Sequence, residues 1–310
     1  MGFLFLAVAC SLGIATVFKL AERRDLDRTA LLAVNYAAAA VLALALQGAD
    51  VAALADVAPG AIALGVLQGV LFIGGFWLFS LAIREAGIGL AAGAMRLSVV
   101  VPVVASWAIW AEVPTVVQGL GLALAGAAFV LVARPSGAHA PGGTVAGEMP
   151  AATAAADGLP ESSAPRRAGS LVLLLGLLFV AGGLVDVVMK AFQKGYAATV
   201  STPTFLLFVF GVAFAVGTAA VVATGTRTGR WPSAAVVGWG VGLGLINYGS
   251  AEFLLRALGA LPAPVAFPLN SVSIVLGAAL LGRLVWGEAL SRANLAGLAL
   301  AAVAVALLAG

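Results

Sequence analysis

A single arginine, Arg96, interrupts the apolar stretch MRLSVVVPVVASWAIWAE (95–112), with Pro102 six residues on and Glu112 at its end. At about 1.5 Å of rise per residue it lies only about 4 Å from the middle of its run, too deep for its head to reach an interface comfortably. A charge at that depth costs about 2.5–3.5 kcal/mol on insertion scales, and it is usually tolerated because it faces a wet cavity. The chemistry open to it is to hold a carboxylate or phosphate in a bidentate fork. The competing reading is structural, an arginine bonded to carbonyls that Pro102 frees.

A second stretch, FPLNSVSIVLGAALLGRLVWGE (267–288), is related to the first. Counting from the matched pairs Arg84/Arg256 and Gly87/Gly259, Pro268 falls where Arg96 does, with Asn270, Ser271 and Ser273 beside it and Pro262 and Pro264 before it. The separation from arginine to glutamate grows from 28 residues (84 to 112) to 32 (256 to 288). Pro102 and Pro268 are therefore the expected helix breaks, and the extra residues predict a broken ninth helix whose free backbone groups face a cavity. One half would offer a fixed cation, the other amides and helix dipoles. A proline kink used only for packing is the alternative.

Asn35 and Asn247 also fall near the middle of apolar runs, and with Tyr36, Trp77 and Tyr248 they could line a substrate path. Asparagine in a membrane helix is about as often interhelical glue, typically below about 2 kcal/mol. Asp186 and Glu252 each precede a base by four residues, Lys190 and Arg256. That spacing fits an i,i+4 ion pair or a carboxylate that couples transport to protons. Glu112 and Glu288 precede helix starts and read as structural. TVVQ (115–118) is a capping box, and Ser291 an N-cap. The glycines at 238, 240, 242 and 244 follow no strand, so they mark close helix packing, as Gly121 and Ala125 do, rather than a nucleotide site. Cys10 and His139 are the sole cysteine and histidine, so no disulfide, metal centre or cofactor is expected.

The elements that must position these residues follow from composition. The 310 residues are 63% hydrophobic and 9% charged, with a mean hydropathy of +1.13, beyond the soluble range of roughly 45–50% apolar residues. The apolar runs are helix-length, which excludes a barrel. They predict spans at 2–18, 29–47, 59–83, 87–110, 115–133, 170–189, 203–224, 233–256, 262–286 and 291–309. The start, MGFLFLAVAC, lacks the basic segment of a cleaved signal and reads as part of the first span. Between the fifth and sixth spans lies a Pro/Gly/Ala/Ser-rich stretch, 134–170, read as a disordered linker.

The two sides of that linker, 1–133 and 171–310, read as copies. FKLAERR answers MKAFQKG, IREAG answers LRALG, and WAE at 110–112 answers WGE at 286–288; GLALAGAAFVLVA and GLALAAVAVALLA then follow. Five helices per copy bring the second into the membrane from the opposite side. The expected fold is thus an all-α membrane protein with ten transmembrane helices in two inverted five-helix repeats.

A mid-helix proline, then WAE or WGE, a Thr- or Ser-capped turn and a glycine-bearing last helix, present twice, resembles the EamA-like drug/metabolite transporter superfamily. The resemblance covers nearly the whole chain except 134–170. It departs in the second copy, which has no proline at the site matching Pro102, and in the length of the linker. It implies ten-helix secondary transporters, often exporters of amino acids, other metabolites or drugs, with a central cavity between the halves.

The expected function is therefore alternating-access transport, as an exporter on the resemblance, of a small polar or zwitterionic metabolite across the cytoplasmic (inner or plasma) membrane. Arg96, Asn35, Trp77, Asn247, Tyr248 and Asn270 are the substrate-binding candidates, and Asp186 and Glu252 the coupling candidates for a proton or ion. The partners are substrate and lipid bilayer, the chain acting as a monomer or weak homodimer. Nucleic acid is not expected, because the net charge of +3 is spread between apolar segments. Rival readings are a non-transporting sensor or scaffold, and an integral membrane enzyme, the latter lacking intramembrane histidine or paired catalytic carboxylates. Lys and Arg divide 12 against 3 between alternate connections. The positive-inside rule then puts the linker in the cytoplasm and both termini outside, opposite to the family expectation of both termini inside.

Overall fold

The computed structural model describes residues 1–24, 26–48, 52–132, 168–229, 231–287 and 290–309. Among them every regular element is a helix: α1 (Gly2–Glu22), α2 (Arg28–Leu46), a short 3-10 turn (Ala52–Asp56), α3 (Pro59–Ala86), α4 (Ile88–Leu97), α5 (Val100–Trp110) and α6 (Val116–Val132). The second half carries α7 (Ala168–Gly195), α8 (Thr202–Thr228), α9 (Ala234–Ala260), α10 (Ala263–Val285) and α11 (Arg292–Ala309). Nine helical segments among the described residues are long and apolar enough to cross a membrane, α4 and α5 together contributing Leu90–Trp110. The chain is a multi-pass membrane protein. Val116–Val132, the fifth expected span, is a shorter apolar helix of 17 residues.

Several helices outrun their apolar stretches: α7 continues to Gly195 and α9 to Ala260. A hydropathy window closes at the first charge, but lysine, glutamate and arginine are good helix formers and carry the helix on. Several starts are set by capping chemistry. Asp27 accepts from the Ala30 N–H at 3.0 Å to start α2, and Ser201 accepts from Thr204 N–H at 3.2 Å to start α8. Thr115 and Gln118 bond reciprocally, at 3.0 and 3.2 Å, before α6, and Ser291 accepts from Asn294 N–H at 3.1 Å before α11. α7 begins at Ala168, so the last residues of the expected linker are helical. Residues 133–167, with His139, and Glu288 lie outside the described residues.

Contacts group the chain into two compact units, Met1–Gly74 with Val188–Gly259, and Gly75–Val187 with Ala260–Gly310. In the first, α2 lies along α8. α9 closes on α2 where it has no side chain: a Cβ on Gly240 would stand 2.6 Å from Val34 Cβ, whereas Gly238 and Gly242 have open space. In the second unit α6 lies along α11. A Cβ on Gly121 would meet Leu308 Cγ at 2.9 Å, and one on Gly297 would meet Val132 Cγ2 at 2.8 Å. Contacts this close are what hold apolar helices together where lipid is as apolar as leucine.

Candidate functional site

The fourth span carries a tightened turn in its middle. α4 ends at Leu97 and α5 starts at Val100, and Ser98 and Val99 between them keep right-handed helical dihedrals, so the path continues through Leu90–Trp110. The local sequence explains the tightening. Pro102 has no N–H to give the Ser98 carbonyl and its ring crowds that group, and the carbonyl instead accepts from Val101 N–H at 2.9 Å in a tighter turn. The Ser98 hydroxyl donates back to the Met95 carbonyl at 2.6 Å, a side-chain bond that competes with the helical ladder. α7 packs onto the turn through paired glycines. A Cβ on Gly182 would stand 2.9 Å from Ser98 Oγ, and one on Gly183 would stand 2.8 Å from the Ser98 carbonyl oxygen and collide with Val101.

Arg96 belongs to the last turn of α4. Its Cα stands two residues before the tightened turn at Ser98–Val99. Cation and tightened turn therefore occur together, in the same span.

That arrangement corrects the expectation for the second half, because α10 runs unbroken from Ala263 to Val285 with Pro268 inside it. Pro262 is the N-cap and Pro264 stands in the first positions, where a missing N–H would have had no partner anyway. Only Pro268 then removes a ladder bond, and one missing bond is tolerated in a packed membrane helix. The extra residues of this copy are spent on the helix start, not on a gap.

Beside α10 stands α5. The Glu112 carboxylate, beyond the end of α5, accepts from the Ala263 backbone N–H at 2.8 Å. Counting away from that bond at about 1.5 Å per residue brings Ser106 and Asn270 to similar depths, about 9 and 10 Å along their helices. Both side chains are buried, Ser106 at 0% and Asn270 at 4% exposure. Ser106 Oγ and Asn270 Oδ1 have no hydrogen-bond partner among the described residues.

The first unit gathers the other polar candidates. Asn247 Nδ2 donates to Asn35 Oδ1 at 3.3 Å, joining α9 to α2. The Tyr248 hydroxyl donates to Glu252 Oε2 at 3.0 Å. Arg256 Nε and Nη2 both reach Glu252 Oε1 at 2.7 Å, and the same guanidinium lies 5.5 Å from the Phe3 ring centroid. Glu252 is thus ion-paired one turn from its partner, as the spacing allowed. Phe210 is the centre of an aromatic group, its ring 6.4 Å from Tyr36, 6.3 Å from Phe72 and 6.3 Å from Tyr248.

The substrate candidates divide between the units: Asn35, Asn247 and Tyr248 in the first, Arg96, Trp77 and Asn270 in the second. Trp77 is 58% exposed, unlike the interior Tyr36 and Tyr248. Asp186, at 6%, and Lys190, at 1%, are both buried, one turn apart on α7. Lys190 is therefore no connection charge, and it leaves the minority side of the orientation count. Sequence reasoning also missed Gln68 and Ser106. Neither is charged, and only their place on a buried helix face marks them.

No family model matches the chain. It is 26% identical over 307 residues to an uncharacterized protein of Haemophilus influenzae, covering 95% of this chain and 93% of that one. Among solved structures, a protein crystal structure with 16% sequence identity superposes at a TM-score of 0.69, over 98% of this chain and 94% of the other. That likeness extends the helical architecture to a known fold and carries no activity with it.

Proposed function

We propose that the chain is a secondary transporter of the EamA-like drug/metabolite superfamily, moving a small polar or zwitterionic metabolite across the cytoplasmic membrane by alternating access. The observation that carries this reading is Arg96 within the fourth span, two residues before the tightened turn at Ser98–Val99. Charged groups within membrane spans are usually tolerated where they face a wet cavity, and they mark substrate and ion pathways. An arginine at that depth suits an anionic group, a carboxylate or a phosphate.

The ten-span, inverted-repeat reading has support of its own. With α6 counted as a span, its 17 residues rise about 26 Å, near the hydrocarbon thickness of about 30 Å. The second span then packs on the seventh, α2 on α8, and the fifth on the tenth, α6 on α11. Equivalent helices of two copies related by a two-fold axis meet in this way when they flank the axis. Each compact unit also draws helices from both halves of the chain.

Asp186 and Glu252 are the coupling candidates, Glu252 being bonded to Tyr248 and Arg256. The test is a melting-temperature screen over anionic and zwitterionic metabolites, which stabilise the native state by mass action if bound, followed by counterflow of the hits in proteoliposomes. Saturable counterflow of at least one hit is expected. Binding without flux would favour a sensor.

A further inference from the structure

Gln68 lies in α3 at 1% exposure, and neither its Oε1 nor its Nε2 has a hydrogen-bond partner among the described residues. Among the described buried side chains with unmatched atoms it is the one that leaves both a donor and an acceptor of an amide unmatched. A carboxamide buried without partners is destabilising anywhere and more so at the depth of lipid chains, where water cannot substitute. Leucine or methionine would fill the same space without that penalty.

The local geometry says where this amide stands. Gln68 is on the face of α3 that meets α8: a Cβ on the preceding Gly65 would lie 2.7 Å from Phe208 Cβ, and one on Gly69 would lie 2.6 Å from the Val209 carbonyl oxygen. One turn on, where helical side chains share a face, Phe72 packs its ring 6.3 Å from that of Phe210. Phe210 in turn meets Tyr36 and Tyr248. These residues all belong to the first compact unit. An unmatched amide therefore belongs to the turn of α3 that precedes Phe72 and its aromatic cluster, and a carboxamide carries its donor nitrogen and acceptor oxygen side by side in a plane.

We infer that Gln68 is a substrate-recognition residue and that its ligand presents the complementary pair, an acceptor next to a donor, as a primary carboxamide or a lactam does. The inference deepens the transport reading by naming a substrate class, and it rests on that reading only for the movement of the ligand, not for its binding. A site built to bond such an edge strongly rejects analogues lacking the donor, because its own amide is then left unmatched.

The experiment uses the full chain, purified as wild type and as Gln68→Met, with nicotinamide, L-glutamine and uracil as probes. Each is paired with a compound lacking the amide hydrogen: nicotinate, L-glutamate and 1,3-dimethyluracil. At least one amide probe is expected to raise the wild-type melting temperature by several degrees, its partner compound is not, and Gln68→Met, melting no lower than wild type, is expected to give no shift. The inference is overturned if no amide probe shifts the wild type, if the shift survives in Gln68→Met, or if that variant melts several degrees lower, which would mean the amide is bonded within the fold. Proteoliposome flux separates this inference from the transport reading. A wild type that shows the amide-dependent shift but carries no probe retires transport and keeps the recognition role. Unimpaired flux of the wild-type substrate through Gln68→Met keeps transport and retires the recognition role.

Discussion

The carboxylate of Glu112 accepts a hydrogen bond from the backbone N–H of Ala263 at 2.8 Å, across 151 positions of sequence. Ala263 is the first residue of α10, whose N-cap, Pro262, supplies no capping side chain. An acid from the end of the fourth span therefore caps the ninth, satisfying an orphan N–H and meeting the positive end of its dipole. Glu112→Ala should lower stability by about 0.5–2 kcal/mol, the usual range for a lost cap, and Glu112→Gln by less, since its amide oxygen can still accept. Thermal unfolding in detergent checks both, and equal stability of all three proteins would mean the contact contributes nothing.

The glycine pair on α7 has a specific role at the tightened turn. Gly183→Ala places a methyl against Val101 and the Ser98 carbonyl, and overpacking of this kind typically costs about 1–3 kcal/mol. Gly126, on α6, has nothing within 4 Å of the corresponding position. Gly126→Ala should be neutral or stabilising, because glycine is the poorer helix former by about 1 kcal/mol. Melting temperatures that fall alike, or not at all, would show that α7 does not depend on close approach to the turn.

The two intramembrane carboxylates should behave differently. Glu252→Gln keeps its shape and can still accept from Tyr248, but loses the charge-assisted bonds to Arg256, a residue 52% exposed. The Glu252 end of the pair is only 8% exposed, so losing its charge should lower the melting temperature, while pH-driven accumulation of substrate should persist if the pair is structural. Asp186→Asn should retain substrate exchange yet lose accumulation, since exchange needs only the cavity whereas driven flux needs a titrating group. Uptake with and without an imposed pH gradient, in both variants, decides between them.

Much of the architecture is written in hydropathy, because twenty or so apolar residues in lipid can only be a helix. The span centres are legible for that reason, and the ends are not, since Lys194 and Arg256 prolong helices that an apolar window closes early. The caps at Thr115 and Ser291 were also legible, being local. The partner of Glu112 was not, because its bond spans 151 positions and nothing in WAE points to Ala263. The break expected in the ninth span failed on proline counting: three prolines near 262–268 weigh less than Pro102 alone, since two of them sit at the helix start. Gln68 escaped notice because a lone uncharged amide gives no pattern, and only its burial without partners reveals it.

Arg96 carries the central claim, and its guanidinium can be altered without removing its charge. Arg96→Lys leaves a cation in the last turn of α4 but cannot reproduce a bidentate fork. Arg96→Met removes a charge from within a span and could stabilise the fold. The decisive measurement is proteoliposome flux of a substrate found in the wild-type screen, taken with the melting temperature of each variant. The account predicts that both variants insert and fold while flux falls at least about tenfold, the equivalent of about 1.4 kcal/mol of lost substrate interaction. Wild-type flux in both would remove Arg96 from the transport path, and unfolding of both would make it a structural partner of the turn at Ser98–Val99.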